Sequence, residues 1–326
     1  MPRNTTVIAL AWAASMLLSQ PARADGPFQA TGFKVGEVSD TTAIVWTRLT
    51  LRRKRNPIDG PAVSVEYVKS GDEAKPRGWT AKAIIFEQGV TVRDVREAVP
   101  GTDGDVRVLY RPAKSDADWQ EVDGLRDFTR QFTLSELQPG TRYEVKVESR
   151  SIEGESEESA LGGFRTAPPA RDAARVVFTV STGQRHGDRD RPDGFKIYPE
   201  MLKLDPNFFI HTGDAVYYDH LAKTVDLARY HWQRTYSWPT NVEFHNRVSS
   251  YFFKDDHDTW KNNCWPTMQS PAMHDGPGKT IWGEAQKNWF KQTFQESDAT
   301  FRILVSPTPI IGPDRFITQP LCTESA

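Results

Sequence analysis

Phe208-Phe209-Ile210-His211-Thr212-Gly213-Asp214, followed further on by Tyr251-Phe252-Phe253-Lys254-Asp255-Asp256-His257-Asp258, decides the fold class of the second half of this chain. Each stretch begins as a short apolar run rich in aromatic residues, the pattern of a buried strand, and each ends in carboxylates. In an α/β sheet, ligands gather at the carboxyl ends of the strands. Carboxylates and an imidazole delivered there suit a cation that polarises a phosphoryl oxygen and lowers the pKa of a water. Taken singly, a Gly-Asp pair is more often a turn, and an acidic run is more often a solvated loop. Placement of both directly after apolar strands is what points to a metal-dependent hydrolytic site.

Outward from these stretches, 175–181, 207–212, 250–254 and 301–306 read as buried strands, and 196–204, 225–236 and 284–295 as amphipathic helices. That alternation implies an α/β sheet domain over 170–326. Before Thr166-Ala167-Pro168-Pro169 the texture differs. Short β-branched and aromatic runs at 32–38, 42–49, 63–68, 81–86, 106–110, 128–133, 142–149 and 163–166 are spaced by turn residues, which reads as a β-sandwich over 25–169. Alternation places Ile44 and Trp46 on one face, and Tyr143, Val145 and Val147 on another; both faces are expected to form the sandwich core. The segment Leu137-Gln138-Pro139-Gly140-Thr141-Arg142-Tyr143 looks like the corner before a late strand of a fibronectin type III-like domain.

Residues 1–24 read as an address. Arg3, an apolar stretch from Val7 to Leu18 and Ala22-Arg23-Ala24 are the three parts of a signal peptide for the general secretory route. The stretch is shorter than the roughly 20 residues needed to span a bilayer, so no transmembrane anchor is expected after cleavage. Composition is ordinary for a globular protein, with 26% charged residues and a net charge of −2, and the one basic run, Arg52-Arg53-Lys54-Arg55, is short. Nucleic acid is therefore not expected as an obligate partner. Only Cys264 and Cys322 are present, which excludes a zinc framework and leaves room for a single bridge in an oxidising compartment.

Residues 32–49, 163–169, 209–218, 254–265 and 300–309 together resemble the PhoD-type alkaline phosphatases of the metallophosphoesterase superfamily. The resemblance implies a fibronectin III-like β-sandwich followed by an αββα catalytic domain that hydrolyses phosphate mono- and diesters. It implies that Asp214 bridges two metal ions, that Tyr217 of the Gly-Asp-x-x-Tyr pattern ligates iron, and that Asp256 is a further ligand. His257 takes the place of the histidine that contacts the substrate phosphate, and an imidazole can protonate a leaving alkoxide. Asp258 is expected to orient His257 or the backbone, while Asp255, Asn262, Asn263 and Gln184 are candidates to support the ligands or to meet the substrate. His211 reads as a packed, hydrogen-bonded histidine, and His186, His220, His231, His245 and His274 carry no ligand spacing.

Three departures qualify the resemblance. Ser181-Thr182-Gly183-Gln184 stands where many members carry a metal-binding cysteine, and neutral oxygens suit harder ions than a thiolate does. Calcium with iron is the expected pair, with zinc, manganese and magnesium as alternatives. Residues 266–279 are loop-like where the family has a further strand and helix. No histidine follows His274, so the metal shell is expected to be incomplete and activity weak or absent unless a partner chain completes it. A reading from a different class makes the chain an exported binding protein whose sandwich attaches to a polymer or cell surface, with Trp79 and Trp119 as contact candidates.

Overall fold

The computed structural model of the chain describes residues 26–69, 79–112, 120–122, 124–154, 157–259, 283–299 and 301–307. The leader at 1–24, Trp119, Asn262, Asn263, Cys264, His274 and Cys322 lie outside the described residues, as do the side chains of Trp79 and His220. No described helix is long and apolar enough to cross a membrane.

Strands β1 (Phe33–Gly36), β2 (Ala43–Arg48), β3 (Ser64–Lys69), β4 (Trp79–Ile85), β5 (Gly104–Arg111), β6 (Gln120–Val122), β7 (Thr129–Leu134), β8 (Arg142–Arg150) and β9 (Glu157–Arg165) build the first domain. They form two antiparallel sheets, β1-β2-β7 and β6-β5-β8-β9, with β3-β4 a separate hairpin. Between the sheets lie Phe33, Val35, Val45, Val106, Val108, Tyr143, Val145 and Val147. Burying each such side chain contributes roughly 1.5–3 kcal/mol, which holds the sheets face to face. Tyr143 stacks on Phe164 with centroids 5.3 Å apart, and its phenol oxygen accepts a 2.7 Å bond from the Gln138 amide. Gly140, at φ +62°, turns the chain between those two residues, a conformation that glycine adopts without steric cost.

One face assignment is overturned. Ile44 and Trp46 do share a face, but the buried face of β2 is Ala43, Val45 and Thr47. Trp46 looks outward, where the Lys34 ammonium sits 5.2 Å from its ring centroid and 5.3 Å from that of Tyr236 in the second domain. Alternation defines two faces without saying which one meets the other sheet.

In the second domain, β10 (Phe178–Ser181), β11 (Phe208–His211) and β12 (Ser249–Phe252) run parallel in the order β10-β11-β12. Helices α1 (Ile197–Leu202), α2 (Val225–Tyr236), α3 (Pro239–Arg247) and α4 (Glu284–Glu296) accompany them. Tyr198 and Met201 of α1 and Phe244 of α3 close over Phe209. Thr224 caps α2 by accepting from the Leu227 amide, which satisfies one of the orphan donors at its start. Residues 301–306, expected as a strand, carry no ladder, and Phe301 stands exposed. An apolar run becomes a strand only where a neighbour pairs with it.

Helix α3 was not legible in the sequence. Thr240, Asn241, His245 and Asn246 share its buried side with Phe244, which hides the apolar period, although Pro239 marks its first turn. Asn246 docks the domains, its Oδ1 accepting from the Phe33 amide at 2.9 Å. Tyr251 OH of β12 also crosses, accepting from the Val38 amide at 3.1 Å, whereas Thr240 Oγ1 stays within the second domain and accepts from the Phe195 amide at 2.9 Å. Gly162 of β9 permits the approach, because a Cβ there would lie 1.8 Å from the Asn246 carbonyl oxygen. The domain junction also holds Glu97 against His186 at 3.1 Å and Asp127 against Gln233 at 2.9 Å.

Candidate metal centre

Adjacent parallel strands bring the two acidic loops to one edge of the sheet. After β11, the Thr212 amide donates to Ser181 O at 2.9 Å, and after β12 the Phe253 amide donates to His211 O at 2.9 Å, so all three strand ends are tied together. The chain then turns through Gly213 at φ +124° and Asp214 at φ 53°. A Cβ on Gly213 would stand 2.7 Å from Asp255 Cβ and 3.2 Å from Pro307 Cβ. Glycine is what lets the Asp214 turn lie against the Asp255–Asp258 loop.

Asp214, Asp256 and His257 each present a ligand atom within 4.8 Å of the others, and among the described residues they are the one such group of three. Asp214 Oδ2 accepts from Tyr217 OH at 2.9 Å, whereas its Oδ1 is buried with no partner. Burial raises the Asp214 pKa, with the nearby Asp256 carboxylate adding to the shift, and raises that of Tyr217, to which Asp214 adds. Asp255 is pushed up to about 6, by burial first and then by Asp256 and Asp214. Carboxylates crowded in this way repel one another, and a cation relieves that repulsion. An orphaned carboxylate oxygen, a phenol, a second carboxylate and an imidazole form an oxygen- and nitrogen-rich donor set, so the residues present fit a hard or borderline metal ion.

The surrounding groups hold this set in place. Asp258, fully buried, accepts from the Ala215 amide at 2.8 Å, from the Val216 amide and from the Asp255 amide at 3.3 Å, so one carboxylate ties the two loops together. Tyr218 donates to the Asp258 carbonyl. Asp255 Oδ1 accepts from the Asp256 amide at 2.9 Å, which shapes the second loop. His211 is fully buried, and its Nδ1 accepts from the Gly213 amide at 3.4 Å, a support beneath the turn.

Gln184 takes a place different from the one expected of its side chain. Its Oε1 accepts from Tyr198 and, at 3.3 Å, from Asn241, so the carboxamide serves the domain interior. Its backbone amide reaches the site, donating to Asp214 O at 2.8 Å, while Thr182 Oγ1 donates to Gly213 O at 3.2 Å. Sequence reasoning missed Asp219. Its Oδ1 lies 2.6 Å from His257 Nδ1, and its amide donates to His257 O at 3.2 Å. A carboxylate accepts, so Nδ1 carries the proton and Nε2 is the ring atom left to engage a ligand. The signal was an acid two residues after Tyr217, with nothing in the sequence to connect it to His257.

Residues 26–161 match the fibronectin type III domain. No curated protein sequence matches the chain. Among solved structures, one of PhoD superposes with a TM-score of 0.52 and 14% identity, covering 77% of this chain and 43% of that one. A purple acid phosphatase, PPD1 from yellow lupin (Lupinus luteus) seeds, gives a TM-score of 0.39 and 12% identity over 78% of this chain and 38% of that one. The chain thus spans less than half the length of either structure. It is a multidomain β plus α/β protein, a fibronectin type III domain followed by an α/β domain whose likeness to PhoD is one of fold.

Proposed function

We propose that this chain is an exported, metal-dependent phosphoric ester hydrolase, similar to the alkaline phosphatases of the PhoD type, acting on phosphate mono- or diesters. The observation that carries the reading is the convergence of Asp214, Asp256 and His257 within 4.8 Å at the carboxyl edge of the parallel sheet, with Asp214 Oδ1 buried and unpartnered. Asp214, Tyr217 and Asp256 would hold the metal, calcium and iron being the pair that the donor set and the phenol favour, with zinc, manganese or magnesium as alternatives. Bound there, it supplies positive charge to a phosphate oxygen and acidity to a water.

The chain's own residues do the rest. Asp219 holds the His257 ring through Nδ1; in the imidazolium form Nε2 carries a second proton, which would contact the phosphate and pass to the leaving oxygen. Asp258 holds the Asp214 turn and the Asp255–His257 loop in register, which a reaction sensitive to shifts of an ångström requires. Residues 1–24 would direct export.

The test uses the chain loaded in turn with calcium, ferric iron, zinc or manganese and assayed on an aryl phosphate diester. Metal-dependent turnover abolished by Asp214→Asn supports the reading. Asp219→Asn is expected to lower kcat by about 10- to 100-fold with metal affinity retained, the usual cost of losing a group that orients a catalytic histidine. With the shell incomplete, turnover is expected to be weak; turnover or metal affinity that Asp214→Asn leaves unchanged would overturn the reading.

A further inference from the structure

At the domain junction, Trp238 Nε1 donates to His186 Nδ1 at 3.2 Å, and His186 Nε2 lies 3.1 Å from Glu97 Oε1. An indole nitrogen can only donate, so Nδ1 must accept, and the ring's single proton sits on Nε2, where the Glu97 carboxylate receives it. The neutral imidazole thus spans from Trp238, at the head of α3, to Glu97 in the first domain. His186 and Trp238 are both buried, so a bond lost here leaves a polar group without water to replace it.

The charges around this ring oppose a second proton. Arg55 of the first domain lies 3.5 Å from the Trp238 ring centroid and reaches Glu97 at 3.5 Å, and Arg189 lies 4.7 Å from the same ring. Helix α2 brings Arg234 and His231 toward the imidazole. On its own turn, Asp188 pairs with Arg185 at 3.9 Å, both side chains exposed. Among the described residues, one carboxylate therefore faces three guanidinia, and Arg55 Nη2 and Arg234 Nε are buried without a partner. Burial pushes the His186 pKa down, and Arg234 and Arg55 add to that against the pull of Glu97. Burial alone would raise Glu97, but its bond to His186 and the charges of Arg55 and Arg234 hold it at about 2.

We propose that His186 is a pH-sensitive latch between the two domains: a proton on Nδ1 sets two donors head to head, expels the Trp238 N–H and opens the junction. The metal loops feel the opening through a short piece of chain. Gln184, two positions before His186, donates its amide to Asp214 O at 2.8 Å, and its side chain accepts from Asn241 of α3 at 3.3 Å. A shift of the His186 turn therefore pulls on the Asp214 turn. The latch is closed above the ordinary imidazole value of about 6.5 and loosens as pH falls below it. An imidazole that titrates at about 6.5 when open and takes no proton while closed favours the open form by up to about 30-fold at about pH 5.

Imidazole nitrogen spectra of the full, metal-free chain carrying isotope-labelled histidine read the tautomer and the titration midpoint of His186, its signal being the one lost in His186→Gln. The Nε2–H tautomer and a midpoint below about 6.5 are expected. Trp238→Phe keeps an aromatic ring beside Arg55 but removes the donor, and is expected to raise the midpoint by about half to one pH unit, the worth of one hydrogen bond to the neutral form. Hydrogen exchange, corrected for the intrinsic pH dependence of amides, then follows residues 95–99 and 183–190. Between about pH 7.5 and pH 5, protection is expected to fall about 5- to 30-fold in the parent and less than about twofold in His186→Gln. The glutamine carboxamide accepts from Trp238 and donates to Glu97 without titrating. Should Trp238→Phe not fold, the parent's tautomer and the exchange of His186→Gln decide. An Nδ1–H tautomer, a midpoint at or above the ordinary value or unmoved in folded Trp238→Phe, or the same loss of protection in His186→Gln as in the parent would overturn the latch.

Discussion

Gly213→Ala isolates the backbone requirement of the metal turn. At φ +124° an alanine is strained by about 1–3 kcal/mol, and its methyl would stand 2.7 Å from Asp255 Cβ and 3.2 Å from Pro307 Cβ. Neither neighbour is the far end of a flexible side chain, so the Asp214 turn and the Asp255–Asp258 loop must separate, an overpacking cost of about 1–3 kcal/mol more. The sum, about 2–6 kcal/mol, falls mainly on the arrangement that brings Asp214 to Asp256. At 1.4 kcal/mol per tenfold, metal affinity is expected to fall by at least about 30-fold. Isothermal titration with calcium, zinc or manganese reads the affinity directly, and thermal unfolding of the metal-free protein reads the strain. Gly187→Ala is the control, because a Cβ there meets nothing within 4 Å. Metal affinity of Gly213→Ala within threefold of the parent would show that the two loops do not form the site together.

Two further outcomes follow from the packing. His211, held at about 4, and His231 and His245, both pushed well down, are all depressed by burial. Their stabilisation is complete above their ordinary value of about 6.5 and is lost as pH falls through that value toward the folded ones, by up to about 1.4 kcal/mol per pH unit for each. Asp255, raised to about 6, and Asp214 and Asp258, also raised by burial, work in the opposite sense, but His186 is depressed by burial as well, so four imidazoles stand against three carboxyls and a small net loss on acidification is expected. Urea midpoints of metal-free protein between pH 7 and pH 4.5 check the direction; a flat profile would contradict it. Gly162→Ala is expected to undock α3 from β9, because the added methyl would lie 1.8 Å from the Asn246 carbonyl oxygen. Calorimetry is expected to show one cooperative transition for the parent and two for the variant, and a single peak in both would count against docking through that contact.

Much of this molecule was legible from local pattern. The period of two in Tyr143-Glu144-Val145-Lys146-Val147 places three side chains in the sandwich core, and the helical period of 225–236 coincides with α2. The acidic ends of 208–214 and 251–258 marked the two loops that meet, since strand-end placement in a parallel sheet follows from chain direction alone. Which face of β2 is inside was not legible, and Trp46 turned out to face Lys34 and the second domain. Nor was α3, whose polar buried side has meaning only against Phe33 and Leu161. Pairing of Asp219 with His257 spans 38 residues of chain, and the orphaned Asp214 Oδ1 is defined by what surrounds it. Periodicity and strand ends are properties of neighbouring residues, so the sequence by itself determined them; facing, docking and the partner of a buried polar atom depend on residues far apart in the chain, and only the tertiary structure decided those.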